Sequence, residues 1–176
     1  MKLHTFDELV RRVGVSYELQ HHSRLTRTCA EKASIAGIQE SEILKTLYVG
    51  RRGDYIGISL PANIGTVDYS GLLRETMGLS RKRSKSYRFG DVPDGMQPGT
   101  CGPIVTQTAR ESIVGMILIH PADDRYMDVS VGGTDEESLA ISVRMRYSDI
   151  STLVRSQFGD RMKLVSLKAF KHCKTA

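Results

Sequence analysis

The stretch EILKTLYVGRRGDYIGISLPA, residues 42–62, constrains the fold more than any other part of the chain. Two runs rich in β-branched and aromatic residues flank RRGD, the pattern of a β-hairpin. Strand alternation puts Leu44, Thr46 and Tyr48 on one face and Lys45, Leu47 and Val49 on the other. Lys45 therefore shares an apolar face. An ammonium there is unfavourable unless it meets an anion or a cavity edge, or snorkels to water at the strand end. The sequence leaves both readings open.

The segments around the hairpin supply its partners. In LHTFDELVRRVG, Thr5 and Glu8 read as a capping box, Phe6, Leu9, Val10 and Val13 share a helical face, and Gly14 ends the helix. VSYEL alternates like a short strand. TCAEKASIAG repeats the capping box with Thr28 and Glu31, and Gly37 closes it. Cys29 falls in the first turn, where a thiol can be acidified, although a small packed residue is the plainer reading. VDYSGLLRETMG reads as a helix started near Asp68 and stopped at Gly78. SIVGMILIHP reads as a buried central strand, YMDVSVGG and LAISVRM as two more joined through GGTDEES, and YSDISTLVRSQFG as a closing helix. Strands and helices do not alternate strictly. This predicts an α+β fold, a mixed, mainly antiparallel, barrel-like sheet surrounded by helices. Residues 1–158 read as one domain and 159–176 as a basic C-terminal tail.

The chain has 176 residues and a net charge of +5, so charge balance alone points only weakly to a polyanion. Its distribution says more. SRKRSKSYRFG gathers Arg81, Lys82, Arg83, Lys85 and Arg88, with Tyr87 and Phe89 interleaved. Such a run can neutralise nucleic-acid phosphates while an aromatic face stacks on a base; it also fits a solvated basic loop. Cys29, Cys101 and Cys173 are odd in number and far apart, with no CxxC pair and no zinc-site spacing. They read as reduced thiols of a cytoplasmic protein. The N-terminal residues lack the apolar block of a signal peptide, and no stretch approaches the ~18 uncharged apolar residues of a membrane span. A P-loop, a dinucleotide fingerprint and a G-x-S-x-G elbow are all absent from the sequence.

Two glycine-rich segments and one histidine remain as candidate site elements. In MQPGTCGPIV, Gly99 and Gly102 allow close backbone approach, Pro103 stiffens the loop, and Thr100 and Cys101 lie between. Amide N–H groups held in such a loop can grip a carbonyl or a developing oxyanion. Gly132 and Gly133 of VGGTDEES offer similar chemistry. For either loop alone, ordinary turn formation is the simpler explanation. His120 ends the apolar strand before Pro121, where it lines a pocket or caps the strand.

Taken in order, these pieces resemble the YbaK family of aminoacyl-tRNA deacylases, related to the editing domain inserted in bacterial prolyl-tRNA synthetases. The resemblance spans roughly residues 5–158. It rests on LVRRVGVSYELQHH, the Thr-led helix TCAEKASIAGI, the lysine strand EILKTLYVG, the G-x-x-x-P loop GTCGP, the strand end VSVGG and the closing SDIS. It implies hydrolysis of the ester joining a wrong amino acid, Ala or Cys on a proline tRNA, to the tRNA 3′ end. It implies no metal, no cofactor and no covalent nucleophile. Lys45, Gly99, Gly102 and Pro103 would carry the chemistry, with Thr28, Thr46, Thr100, Cys101, His120, Gly132 and Gly133 around the substrate. The partners implied are an aminoacylated tRNA and a synthetase, with no membrane. Assigning Arg81, Lys82, Arg83, Lys85 and Arg88 to tRNA phosphates is a separate inference from charge.

The chain departs from the family pattern at three residues, and its TDEES connection is slightly longer than usual. His120 stands where many relatives have an acidic residue, Val131 where a serine often precedes the glycine pair, and Ala140 where some have aspartate. These departures keep a non-catalytic binding module of the same fold in contention. A thiol enzyme built on Cys101 is a third reading.

Overall fold

The computed structural model describes residues 3–131 and 139–166. Its elements run α1 (Leu3–Val13), β1 (Glu18–His21), α2 (Cys29–Ala36), a 3-10 turn (Glu40–Glu42), β2 (Ile43–Arg51), β3 (Asp54–Pro61), α3 (Tyr69–Met77), α4 (Arg81–Ser84), α5 (Gln107–Ser112), β4 (Ile113–His120), β5 (Tyr126–Val129), β6 (Ile141–Arg146), α6 (Tyr147–Phe158), a second 3-10 turn (Gly159–Arg161) and β7 (Met162–Ser166). One mixed sheet joins the strands in the order β1-β6-β5-β2-β3-β4-β7. Three of its neighbouring pairs are antiparallel (β1 with β6, β5 with β6, β2 with β3) and three are parallel (β2 with β5, β3 with β4, β4 with β7).

The hairpin forms where the sequence puts it, paired from Leu44↔Pro61 to Arg51↔Asp54. Arg52 and Gly53 take φ of 52° and 84°. A two-residue turn with positive φ at both centres follows the twist of the strands it joins. Apolar side chains cover both sheet faces. Leu44 and Tyr48 pack with Met116, Leu118 and the helical residues Phe6, Leu9, Ile150 and Leu153. On the other face, Val49 packs with Ile56, Ile58, Leu60, Ile117, Ile119 and with Leu72 and Leu73 of α3. From Gly115 to Ile119 the β4 run is continuously apolar because both of its faces are buried there.

Helix caps follow the sequence at α2, where Thr28 and Glu31 form the reciprocal box and Gly37 is left-handed, and at α3, where Asp68 caps Gly71 N–H. Four expectations change. Thr5 lies within α1 rather than capping it. The strand after α1 starts at Glu18. Part of the basic run is helical, with the Ser80 hydroxyl accepting from Arg83 N–H. Residues 107–112, unassigned in the sequence, form α5 behind a Thr106 cap. The stretch read as a tail also begins inside the fold, because Met162–Ser166 pairs parallel with Met116–His120 as an edge strand.

Candidate functional site: a two-lysine cavity at a gap in the sheet

The site exists because β5 leaves the sheet early. β2 and β5 pair only at Ile43↔Asp128 and Leu44↔Val129. Beyond that point β2 continues without a neighbour on this side until Gly50 exchanges backbone hydrogen bonds with Arg88, at 2.8 and 2.9 Å. Backbone groups alternate sides along an antiparallel strand. Leu44 and Gly50 face away from β3, so Thr46 does too, and its N–H and C=O point into the gap. A cavity of ≈ 270 Å³ occupies this gap, walled by Leu44–Leu47 of β2, Arg27 and the cap residue Thr28, Cys29 and Lys32 of α2, Gly99 and Cys101 of the glycine loop, and Ser130, among others.

Lys45 reaches the wall from β2. Its Nζ donates to the carbonyl oxygens of Ala62 at 3.2 Å and Ile64 at 2.9 Å. Both acceptors are neutral, and no carboxylate pairs with Lys45 among the described residues. The apolar-face lysine is thus a cavity-edge residue with its charge uncompensated. The Thr46 hydroxyl lies 2.9 Å from that of Ser59 across the hairpin.

Lys32 is a second wall cation, which the sequence reading missed. It is 6% exposed, and Asp128 opposite it is 1% exposed. Lys32 Nζ donates to Asp128 Oδ1 at 3.0 Å and to Ser130 Oγ at 3.2 Å. Asp128 Oδ2 accepts from the Ser142 hydroxyl at 2.8 Å, and His22 Nε2 lies 2.9 Å from that same hydroxyl. Since Ser142 gives its one hydrogen to Asp128, the His22 Nε2–H must be the donor to Ser142. Burial, and then the charge of Lys32, holds His22 below its ordinary pKa, so the imidazole stays neutral at pH 7. The chain His22–Ser142–Asp128–Lys32 links β1, β6, β5 and α2 behind the cavity.

The glycine loop is locked from the other side. Gly99 has φ 94°. A Cβ on Gly102 would lie 1.7 Å from the Ser130 carbonyl oxygen, so only glycine fits there. The Tyr48 hydroxyl donates to Gly102 O at 2.8 Å, and the Thr100 N–H and hydroxyl both donate to Gln97 O at 3.1 Å. Cys101 Sγ donates to the same oxygen at 3.3 Å. Burial pushes the Cys101 thiol up to about 11, and it raises Cys29 despite the opposing charges of Lys32 and Lys45. Both thiols are therefore protonated at neutral pH and poor nucleophiles. The acidification that a helix N-terminus can give Cys29 is outweighed by its burial.

Of the candidate residues, Lys45, Thr28, Thr46, Gly99 and Cys101 meet at the cavity. Thr100, Gly102 and Pro103 are buried within the loop and do not line it. His120 is elsewhere, with its ring against Tyr147 at 4.8 Å and Nδ1 beside Pro121 O. Gly132 and Gly133 lie outside the described residues. Arg81–Arg88 lie toward the far end of β2, where Lys82 and Arg83 join Arg51, Arg52, Gly50, Ser80 and Ser86 around an open depression of ≈ 530 Å³. No helix among the described residues is long and apolar enough to cross a membrane.

No sequence family and no curated protein matches the chain. Solved structures match it over nearly their whole length. A hypothetical protein is 18% identical, with 92% of this chain and 96% of that one covered and a TM-score of 0.58. A "putative trans-editing enzyme for prolyl tRNA synthetase" is 13% identical, with 93% and 94% covered and a TM-score of 0.63. A scaffold protein from computational epitope grafting is 16% identical, with 90% and 96% covered and a TM-score of 0.56. At these identities the likeness defines the fold: the chain is a mixed α+β domain of the architecture shared by these proteins, an editing-type protein among them.

Proposed function

We propose that this chain hydrolyses the ester bond of mischarged aminoacyl-tRNA. The observation that carries the reading is the uncompensated ammonium of Lys45 on a cavity that also receives the Thr46 backbone and the Gly99–Cys101 loop. Lys45 contacts the terminal phosphate or the ester carbonyl region of the substrate. Backbone amides at the cavity stabilise negative charge as it develops on the carbonyl oxygen. An aminoacyl ester is already activated, so positioning supplies much of the acceleration. A water attacks the carbonyl, assisted by the ribose hydroxyl of the terminal adenosine, and the tRNA 3′-oxygen leaves with a proton. Substrate assistance accords with the wall: its thiols are protonated, and Asp128, behind it, is already bonded through both oxygens. The fold likeness to a protein linked to prolyl-tRNA synthetase supports a proline tRNA carrying a small wrong amino acid, and a synthetase as partner. Arg81, Lys82, Arg83, Lys85 and Arg88 contact tRNA phosphates. Gly102 and Pro103 act by holding the loop, and Gly132 and Gly133 bind the substrate.

Among the described residues no carboxylate or imidazole lines the wall, which also favours a second reading, a binding module for the aminoacyl-tRNA end without turnover. A panel of mischarged tRNAs incubated with the wild type and Lys45→Ala decides. Release of free amino acid by the wild type and its loss in the variant supports the deacylase. Tight tRNA binding with no release selects the binding module.

A further inference from the structure

Lys32 is a buried cation that the proposed hydrolysis leaves unused. Its ammonium is fixed from behind by Asp128 and Ser130, and Asp128 is itself held by Ser142. Those contacts occupy two of its three donor hydrogens. The third has no partner among the described residues, and Lys32 is part of the cavity wall. Around it three neutral polar side chains are already engaged: the Thr28 oxygen accepts from Glu31 N–H at 3.1 Å, the Thr46 hydroxyl meets Ser59, and Cys101 Sγ donates to Gln97 O. Lys32 is therefore a wall cation held by a buried carboxylate, with one donor left over. An aliphatic occupant would strand that donor away from water, whereas an occupant with an acceptor oxygen satisfies it. Sites built to hydrogen-bond a ligand oxygen discriminate strongly against the analogue that lacks it.

We propose that Lys32 is a specificity-determining residue of the cavity, selecting an acyl group whose side chain carries an acceptor oxygen, hydroxyl or carboxylate, over an aliphatic one of similar size. The proposal rests on the deacylase reading for the identity of the ligand as an aminoacyl group, and it narrows the substrate class from any small wrong amino acid to an oxygen-bearing one. Lys45, held by neutral carbonyls at the other wall, remains available to the nucleotide part.

Non-hydrolysable 3′-amide analogues of aminoacyl-adenosine carrying alanine, serine or aspartate test it by calorimetry. The serine or the aspartate analogue is expected to bind wild type about tenfold or more tightly than the alanine analogue, the worth of a hydrogen bond to a charged donor. The one that gains more tells hydroxyl from carboxylate. Lys32→Met combined with Asp128→Asn removes the charge pair while keeping an acceptor for Ser142. It should bring the analogues within twofold of one another, by weakening serine or aspartate binding and by removing the stranded donor that penalises alanine. Equal wild-type affinities, no binding of any analogue, or a preference that survives in the double variant overturns the proposal. If the double variant does not fold, the wild-type comparison alone decides. The matching esters separate the two readings. Side-chain preference in binding without ester hydrolysis sinks the deacylase and keeps Lys32. Hydrolysis without preference sinks Lys32 and keeps the deacylase.

Discussion

The two ends of β2 carry the same sign of charge in opposite surroundings. At the start of the strand, Lys45 and Lys32 line a small cavity, one bonded to carbonyls and the other to a buried aspartate. At its end, Arg51 and Arg52 join Lys82 and Arg83 around an open depression, with no ion pair to any of the four among the described residues. A charge in the enclosed site is weakly screened and held by few allowed geometries, so its use is discrimination and positioning. Exposed charges are screened within about 10 Å at 0.1 M salt, so under the proposed function theirs is salt-dependent attraction of the tRNA backbone. One strand therefore presents a selective site and an unselective one.

The sharpest break between them is kinetic. Lys45→Ala is expected to lower deacylation of mischarged tRNA about 100-fold, the scale of removing one electrostatic interaction with a transition state. Its urea midpoint should stay unchanged, because only two carbonyls lose a partner. Retained activity would remove Lys45 from the chemistry. Next comes packing. Gly102→Ala drives a methyl into the Ser130 carbonyl and should destabilise the fold by about 3 kcal/mol in urea unfolding. Gly50→Ala, at the other end, meets only the Tyr55 ring at 2.9 Å, which can swing aside, and should destabilise by about 1 kcal/mol or less. Equal losses would mean that the cavity end is no more rigid than the turn end.

Smaller effects follow. Replacing Arg51, Lys82 and Arg83 by alanine should flatten the salt dependence of tRNA binding, by roughly 0.7 to 0.9 in log–log slope for each phosphate no longer neutralised. Hydrolysis of a minimal aminoacyl-adenosine ester should be untouched; a parallel loss on that ester would place these residues in the cavity's work. His22 gives a pH signature. Its folded pKa lies below 6.5, so the unfolded chain takes up its proton first as pH falls. Stability then declines as pH drops from about 6.5 through the folded pKa, and His22→Gln should flatten that part of the curve in unfolding titrations. Cys101→Ala should change turnover less than twofold, and iodoacetamide should modify the wild-type thiol slowly at neutral pH. Fast alkylation with loss of activity would revive the thiol enzyme.

Much of this was legible because it is local. The RRGD turn, the caps at Thr28 and Asp68 and the alternation around Lys45 each depend on residues within a few positions. What escaped depends on sequence-distant pairs. Lys32 reads as an ordinary helix lysine until α2 brings it onto Asp128, 96 residues away. Nothing local marks the cavity, because it arises where β5 parts from β2. From its strand-end position His120 reads either as a pocket residue or as a cap, and only the packing of its ring against Tyr147 tells which. β7 reads as a tail because KLVS is short and basic residues flank it; pairing with β4 supplies what its own pattern lacks. Gly102 could be read as loop chemistry, but the carbonyl it must admit belongs to Ser130.

The register of β2 has one more consequence. Lys45 and Arg51 are six residues apart on a strand packed on both faces and hydrogen-bonded to β3 along its length. Their separation, roughly 20 Å at the rise of a strand, has no hinge through which to change. The strand is in effect a gauge. Under the proposed function a lone nucleotide is too short to reach both marks, and only a ligand about as long as this strand segment would touch Lys45 and Arg51 together.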